Sequence, residues 1–315
     1  MRTKTFMMMV AAALVMAGCN NDENGLTDNW NGEIRLSSGI TVQQVTRATP
    51  TPPDTQIANG QAVGIFISDA ITSSEVIATN LKYIADGNGT LTLGTGENTP
   101  YYPANGNAVE IYAYQPLSTT IGNDGTYEFS VKTNQKDDNG DYYDSDLLYS
   151  ASNTYTRQKN AHSLSFTHKL SKIVCTLKPG EGNPSLTGAT VDILGAETKG
   201  TFKPSDGTFT LLTGDQGTKS AVNMNSTITS DSYIAVIPPQ TFTKGTNFLK
   251  ITAGTGIFYY SIPNDADLTL AASNVYTYEI TVNQTDVEVS STIKEWEGID
   301  SNKTTGDAGM SDATN

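Results

Sequence analysis

The chain has two histidines, two cysteines, and 19 lysines and arginines against 33 aspartates and glutamates. Each shortage removes a class of function. With so few histidines and cysteines, and with no phosphate-binding glycine loop, zinc-ligand spacing or nucleophile elbow, the chain offers little for catalysis. No enzyme activity, metal or cofactor is expected. A formal net charge of −14 leaves no basic patch for phosphate backbones, so nucleic acid and anionic membrane surfaces are poor partners. Long apolar runs are also missing. The stretch Phe6 to Met16 is too short to span a bilayer, and no long amphipathic helical pattern appears.

That short run belongs to a leader. Residues 1–18 carry a basic start (Arg2, Lys4), an apolar centre and small residues before a cysteine, which reads as a signal peptide. The ending Val15-Met16-Ala17-Gly18-Cys19 is that of a bacterial lipobox, so Cys19 is expected to be acylated and to become the first mature residue. At roughly 0.8 kcal/mol per buried methylene, several acyl chains would anchor the protein firmly. Only Cys175 then remains, which excludes an internal disulfide. Asn20 to Gly32 is polar and acidic and reads as a tether. Glu33 to Val45 holds two short strand-like pieces, Ile34 with Leu36 and Ile40 with Val42. In the Thr49 to Pro53 stretch, TPTPP, Pro50, Pro52 and Pro53 lack amide donors, so it belongs outside a sheet interior.

From Ala62 onward, short alternating segments are separated by Asp-Gly and Asn-Gly turns, which predicts an all-β fold of sandwich type. The stretch Ser163 to Leu177, SLSFTHKLSKIVCTL, has a further feature. Leu164, Phe166, His168 and Leu170 share one parity, whereas Ile173, Cys175 and Leu177 carry the other. An unbroken strand would send the two apolar sets to opposite faces, so this is where the chain is expected to pass from one sandwich to the next. His168 is expected to fill core space. Tyr276, Tyr278, Ile280 and Val282 alternate with Thr277, Glu279 and Thr281 as a core strand with a solvated back. The acidic stretch Asp137 to Asp146 invites a calcium reading, but Gly140 is misplaced and no Glu closes a twelve-residue loop, so a solvated turn is the expectation.

Several of these segments together resemble the fimbrillin family of Bacteroides-type bacteria, the subunits of type V pili. The likeness rests on the lipobox, Asp146-Leu147-Leu148-Tyr149, LSFTHKLSKI at Leu164 to Ile173, VYTYEITV at Val275 to Val282, and VEVSSTIKEW at Val287 to Trp296. It implies two tandem transthyretin-like antiparallel β-sandwich domains, export as an outer-membrane, surface-exposed lipoprotein, and removal of an N-terminal strand by an Arg-specific protease. Assembly with other pilus subunits would follow by donor-strand exchange. The matching cut lies between Arg47 and Ala48, and the strand's anchors would be Ile34, Leu36, Ile40, Val42 and Val45. At roughly 1.5 to 3 kcal/mol per buried aliphatic side chain, such a set holds a polymer without covalent bonds.

The expected division is therefore a signal peptide (1–18), a tether with removable strand (19–47), an N-terminal sandwich (48–160), a C-terminal sandwich (161–296) and a polar tail (297–315). The tail departs from the family pattern, because Glu297 to Asn315 has no alternating apolar set to fill a groove. Either Val287 to Trp296 is donated, or the subunit accepts a strand without donating one, as a tip or accessory adhesin carrying a host or bacterial surface ligand would. A rival reading is a monomeric outer-membrane lipoprotein that binds glycans by stacking sugar rings on Tyr101, Tyr102, Tyr142 and Tyr143.

Overall fold

A computed structural model describes residues 30–40, 56–136, 141–226, 232–283, 287–295 and 300–306. The first half, in chain order, comprises β1 (Leu36–Ile40), β2 (Ala62–Asp69), β3 (Val76–Ala85), β4 (Leu91–Leu93), β5 (Val109–Gln115) and β6 (Tyr127–Ser130). A single helical turn, α1 (Asp141–Asp144), follows, and then β7 (Leu148–Tyr155) and β8 (His162–His168). The second half runs through β9 (Ser171–Pro179), β10 (Thr190–Glu197), β11 (Lys199–Lys203), β12 (Thr208–Leu211), β13 (Lys219–Asn223), β14 (Asn225–Ser226) and β15 (Ser232–Ile237). It ends with β16 (Thr241–Phe242), β17 (Asn247–Ala253), β18 (Gly256–Ser261), β19 (Leu268–Thr269), β20 (Asn274–Val282), β21 (Val287–Glu295) and β22 (Asp300–Gly306). The expected all-β class is what the chain adopts. Among the described residues, no helix is long and apolar enough to cross a membrane.

The period-two patterns place the sheets. A seven-stranded sheet runs β1-β8-β7-β5-β2-β3-β4 and a six-stranded one β14-β15-β9-β20-β21-β22. The change of parity at Ser171 coincides with the chain leaving the first sheet after β8 and entering the second with β9. Ile173, Cys175 and Leu177 face the same core as Tyr276, Tyr278, Ile280 and Val282. Across that core lies the four-stranded sheet β13-β10-β17-β18, contributing Val191, Ile193, Val222, Leu249, Ile251 and Tyr260. Two sheets facing over one apolar layer make a β-sandwich. Cys175 is fully buried there, and burial pushes its thiol pKa up, which leaves it a small apolar filler.

The two halves also share structure. β6 of the first pairs antiparallel with β11 of the second, within the three-stranded sheet β12-β11-β6. Phe202 on β11 is fully buried between Tyr114, Tyr127 and Tyr149, with ring centroids 5.9, 5.8 and 6.1 Å away. The Gln135 amide donates to the Val236 carbonyl at 2.8 Å and its oxygen accepts from the Val236 N–H at 2.9 Å, so one side chain pairs with β15 as a neighbouring strand would. Gly32–Asn315 packs as one compact unit. Within the polar tail, Asp300–Gly306 adds a strand beside β21, because ladder hydrogen bonds at a sheet edge need no apolar side chains.

Candidate functional site: the first strand and its place in the sheet

β1 is short, yet hydrogen-bonded on both flanks. On one side it pairs parallel with β8, Leu36 opposite His162 and Ile40 opposite Phe166, and the Arg35 carbonyl accepts from the His162 N–H at 2.9 Å. On the other side the Ser38 N–H donates to the Gly89 carbonyl at 2.7 Å, and Ser37 bridges Thr90 just before β4. The ladder continues toward the N-terminus, where the Ile34 N–H donates to the Pro100 carbonyl at 2.9 Å and Glu33 bridges Tyr101. β1 therefore sits at one edge of the seven-stranded sheet and also touches the opposite edge, closing the sheet on itself.

The turn that meets it is built for close approach. Asp86 accepts from the N–H groups of Asn88 and Thr90 at 2.7 and 2.9 Å. Gly89 has φ +99, and a Cβ there would stand 3.0 Å from the Ser38 carbonyl oxygen. A side chain at position 89 would thus oppose both the backbone conformation and the contact.

Burial along β1 follows strict alternation. Ile34, Leu36, Ser38 and Ile40 are all at most 7% exposed, so one parity of the strand points wholly inward. The three aliphatic anchors within the described residues correspond to roughly 5 to 9 kcal/mol of gross burial. Val42, Val45, Arg47, Ala48 and Cys19 lie outside the described residues. Ile40 ends over a narrow cleft lined by Gln56, Ile57, Gln115, Asp146 and Leu148. Here the Asp-Leu-Leu-Tyr segment meets the strand: Asp146 pairs with His168 Nδ1 at 2.9 Å, both side chains buried. His168 is thus a core group, as its parity predicts.

His162 was not singled out by sequence pattern for any role, and it proves to be a neighbour of β1. Its Nε2 meets the Tyr102 hydroxyl, its Nδ1 lies 3.1 Å from the Gln158 amide nitrogen, and Tyr155 packs against its ring. Burial lowers its pKa from the usual 6.5. The signal available in sequence was its parity, shared with Leu164 and Phe166.

Of the four tyrosines in the rival glycan reading, two are buried. Tyr102 and Tyr142 are 5% and 1% exposed, the first against His162 and the second in the aromatic core with Phe202. Only Tyr101 and Tyr143 reach solvent. Of the acidic stretch, Asp141–Asp144 is the helical turn α1 rather than an open loop, Asp144 accepts from Gln61 at 3.0 Å, and Asp146 is taken by His168. Asp137 and Asn139 are outside the described residues. No group of three or more metal-ligating side chains occurs among those described. A cavity of about 640 Å³, lined by Glu197, Lys219, Gln240 and Phe242, involves none of the expected site residues.

The fimbrillin-like family profile matches residues 46–296. A Bacteroides uniformis protein named as a fimbrium subunit, Fim1C, is 26% identical over 313 residues, covering 94% of this chain and 96% of that protein. The crystal structure of a protein from Bacteroides uniformis, named for cell adhesion, superposes with a TM-score of 0.64 at 25% identity, covering 84% of this chain and all of the other. A second such crystal structure, from Bacteroides ovatus, has a TM-score of 0.64 at 14% identity, covering 85% of this chain and all of that one, and attests the fold alone.

Proposed function

This chain belongs to the fimbrillin-like family, and on that premise we propose that it is a structural or adhesive subunit of a surface pilus, made as a precursor whose β1 is a temporary occupant. In this reading the precursor is exported with lipid on Cys19 and anchored in the outer membrane. An Arg-specific protease cuts after Arg47, β1 leaves, and a strand from another subunit takes its place.

The observation that carries the reading is the position of β1, which closes a sheet from both sides while remaining topologically separable. Its partner β8 runs parallel to it, so no hairpin ties the two. The chain reaches β2 only at Ala62, by way of the proline-bearing segment that holds Arg47. While β1 is in place, the facing edge of β8 and the carbonyls of Gly89 and Pro100 are paired and the edge is blunted. Without it, they and the pockets of Ile34, Leu36 and Ile40 form an open edge of the kind that captures a strand. Cleavage then acts as the assembly trigger, and the closed precursor stays monomeric during export.

Treatment of the purified chain with an Arg-specific protease, followed by native electrophoresis, tests this. The wild type is expected to form a ladder of polymers, and Arg47→Ala to remain a monomer with its N-terminal segment attached. Equal assembly of Arg47→Ala and wild type contradicts the proposal.

A further inference from the structure

Simple alternation along β10 would put Glu197 in the core. Ile193 faces inward with Val222 opposite it, and counting by two from Ile193 brings position 197 to the same face. A bulge between Ile193 and Ala196 intervenes. The extra residue gives the inward place to Ala196 and turns Glu197 outward, with Lys219 of β13 opposite it. Bulges re-aim side chains in this way. At the same point β10 parts from β17, whose last pairing with it joins Leu249 to Ile193. Past that point the Gln240 amide serves β10 instead: its oxygen accepts from the Glu197 N–H at 2.8 Å, and its nitrogen donates to the Glu197 carbonyl at 3.0 Å. The gap left where the strands part is the cavity of about 640 Å³.

Most of the cavity wall is polar without being charged. Thr213, Thr243 and Asn247 line it from exposed positions, and Leu194 and Phe242 supply apolar patches. Glu197 differs from these. It is 6% exposed, and its Oε2 is shut from water with no hydrogen-bond partner. A carboxylate so placed is poorly solvated, and a donor brought to it through the cavity offsets that cost. The same features select a class of ligand. A purely apolar ligand would leave Glu197 drier still. A cation is opposed by Lys219, and an anion by Glu197 and by the net charge of −14. A neutral ligand with several hydroxyls meets both groups, since a hydroxyl donates to a carboxylate and accepts from an ammonium.

We propose that this cavity binds a neutral saccharide, with the Glu197 carboxylate as the acceptor that fixes a sugar hydroxyl. Its volume lies in the range of small-ligand sites and suits about one or two sugar rings. Lys219 donates to a neighbouring hydroxyl, and Leu194 and Phe242 receive the apolar face of the ring. The site gives the adhesive side of the proposed function a ligand class, and it rests on that reading only for its place on a surface subunit. None of its lining residues belongs to β1 or to the strands beside it, so binding and strand replacement are separate properties.

Saturation-transfer NMR on the full, uncleaved chain tests this. The probes are the methyl glycosides of glucose, galactose, mannose and N-acetylglucosamine, with lactose; N-acetylneuraminic acid and glucosamine serve as anionic and cationic probes. At least one neutral probe is expected to bind, and more tightly than either charged one. Glu197→Gln should weaken that binding by about tenfold or more, because hydrogen bonds to an ionised acceptor are the stronger ones, while the melting temperature holds or rises as an unpaired buried charge is removed. Thr243→Trp, at an exposed position, fills the cavity without touching the carboxylate and should abolish binding. Tyr101→Ala and Tyr143→Ala, outside the cavity, should leave it unchanged. The inference is overturned if no neutral probe binds, if a charged probe binds more tightly, if Thr243→Trp or a folded Glu197→Gln binds as the wild type does, or if the tyrosine variants are the ones that lose binding. A Glu197→Gln chain that does not fold leaves Thr243→Trp to decide. Cleavage at Arg47 and polymer formation are read separately by electrophoresis, so failure of either reading leaves the other standing.

Discussion

His162 is the titratable side chain most directly tied to β1, because it lies opposite Leu36 and its N–H holds the Arg35 carbonyl. The groups facing its ring are Tyr102, Tyr155 and Gln158, with the Arg157 guanidinium over the Tyr102 ring. None is an anion, and the hydrogen bond with the Thr156 backbone offsets burial only in part, so the pKa falls below 6.5. A group with a lowered folded pKa takes up its proton more readily when unfolded. Its contribution is therefore complete above about pH 6.5 and is lost as pH falls through that value toward the folded pKa. Thermal unfolding of the precursor should shift to lower temperature between pH 7.5 and 5, and His162→Gln should remove part of that shift; an identical pH dependence in the variant would exclude this role. Alternation alone was enough to place Ile34, Leu36 and Ile40 inside, because a half-buried strand writes its face into every second residue. The fate of Tyr102 and Tyr142 was not legible, since loop residues carry no period and their burial depends on distant partners such as His162 and Phe202.

Among the elements, the parity change at Ser171 was readable for the same reason: period two admits only two phases, and a slip must be a change of sheet or a bulge. The pairing of β6 with β11 left no such mark. Neither strand's sequence names its partner, and the contact joins residues about seventy positions apart. Gln135 makes that joint specific, since its amide serves both the N–H and the carbonyl of Val236 in a site where Gln135 and Val236 are fully buried. Gln135→Ala should cost about 1 to 3 kcal/mol in urea unfolding through the polar groups left unpaired, with the Arg-specific cleavage and β1 exchange unchanged. A loss below about 0.5 kcal/mol would mean that water replaces the amide without penalty. β22 escaped sequence reading because its residues are polar, and an edge strand can be held by backbone alone.

At the scale of the whole molecule, this is an acidic, all-β chain of the fimbrillin-like family, and the proposed function lies in how its first sheet is closed. Precursor and polymer differ, in this account, by which strand fills one place: β1 from the same chain before cleavage, and a strand from another subunit after it. The measurement closest to that claim is mass spectrometry of the subunit recovered from assembled surface fibres. The account predicts a chain beginning at Ala48 and no peptide containing Leu36 to Ile40; fibres whose subunits retain Leu36 to Ile40 would contradict it.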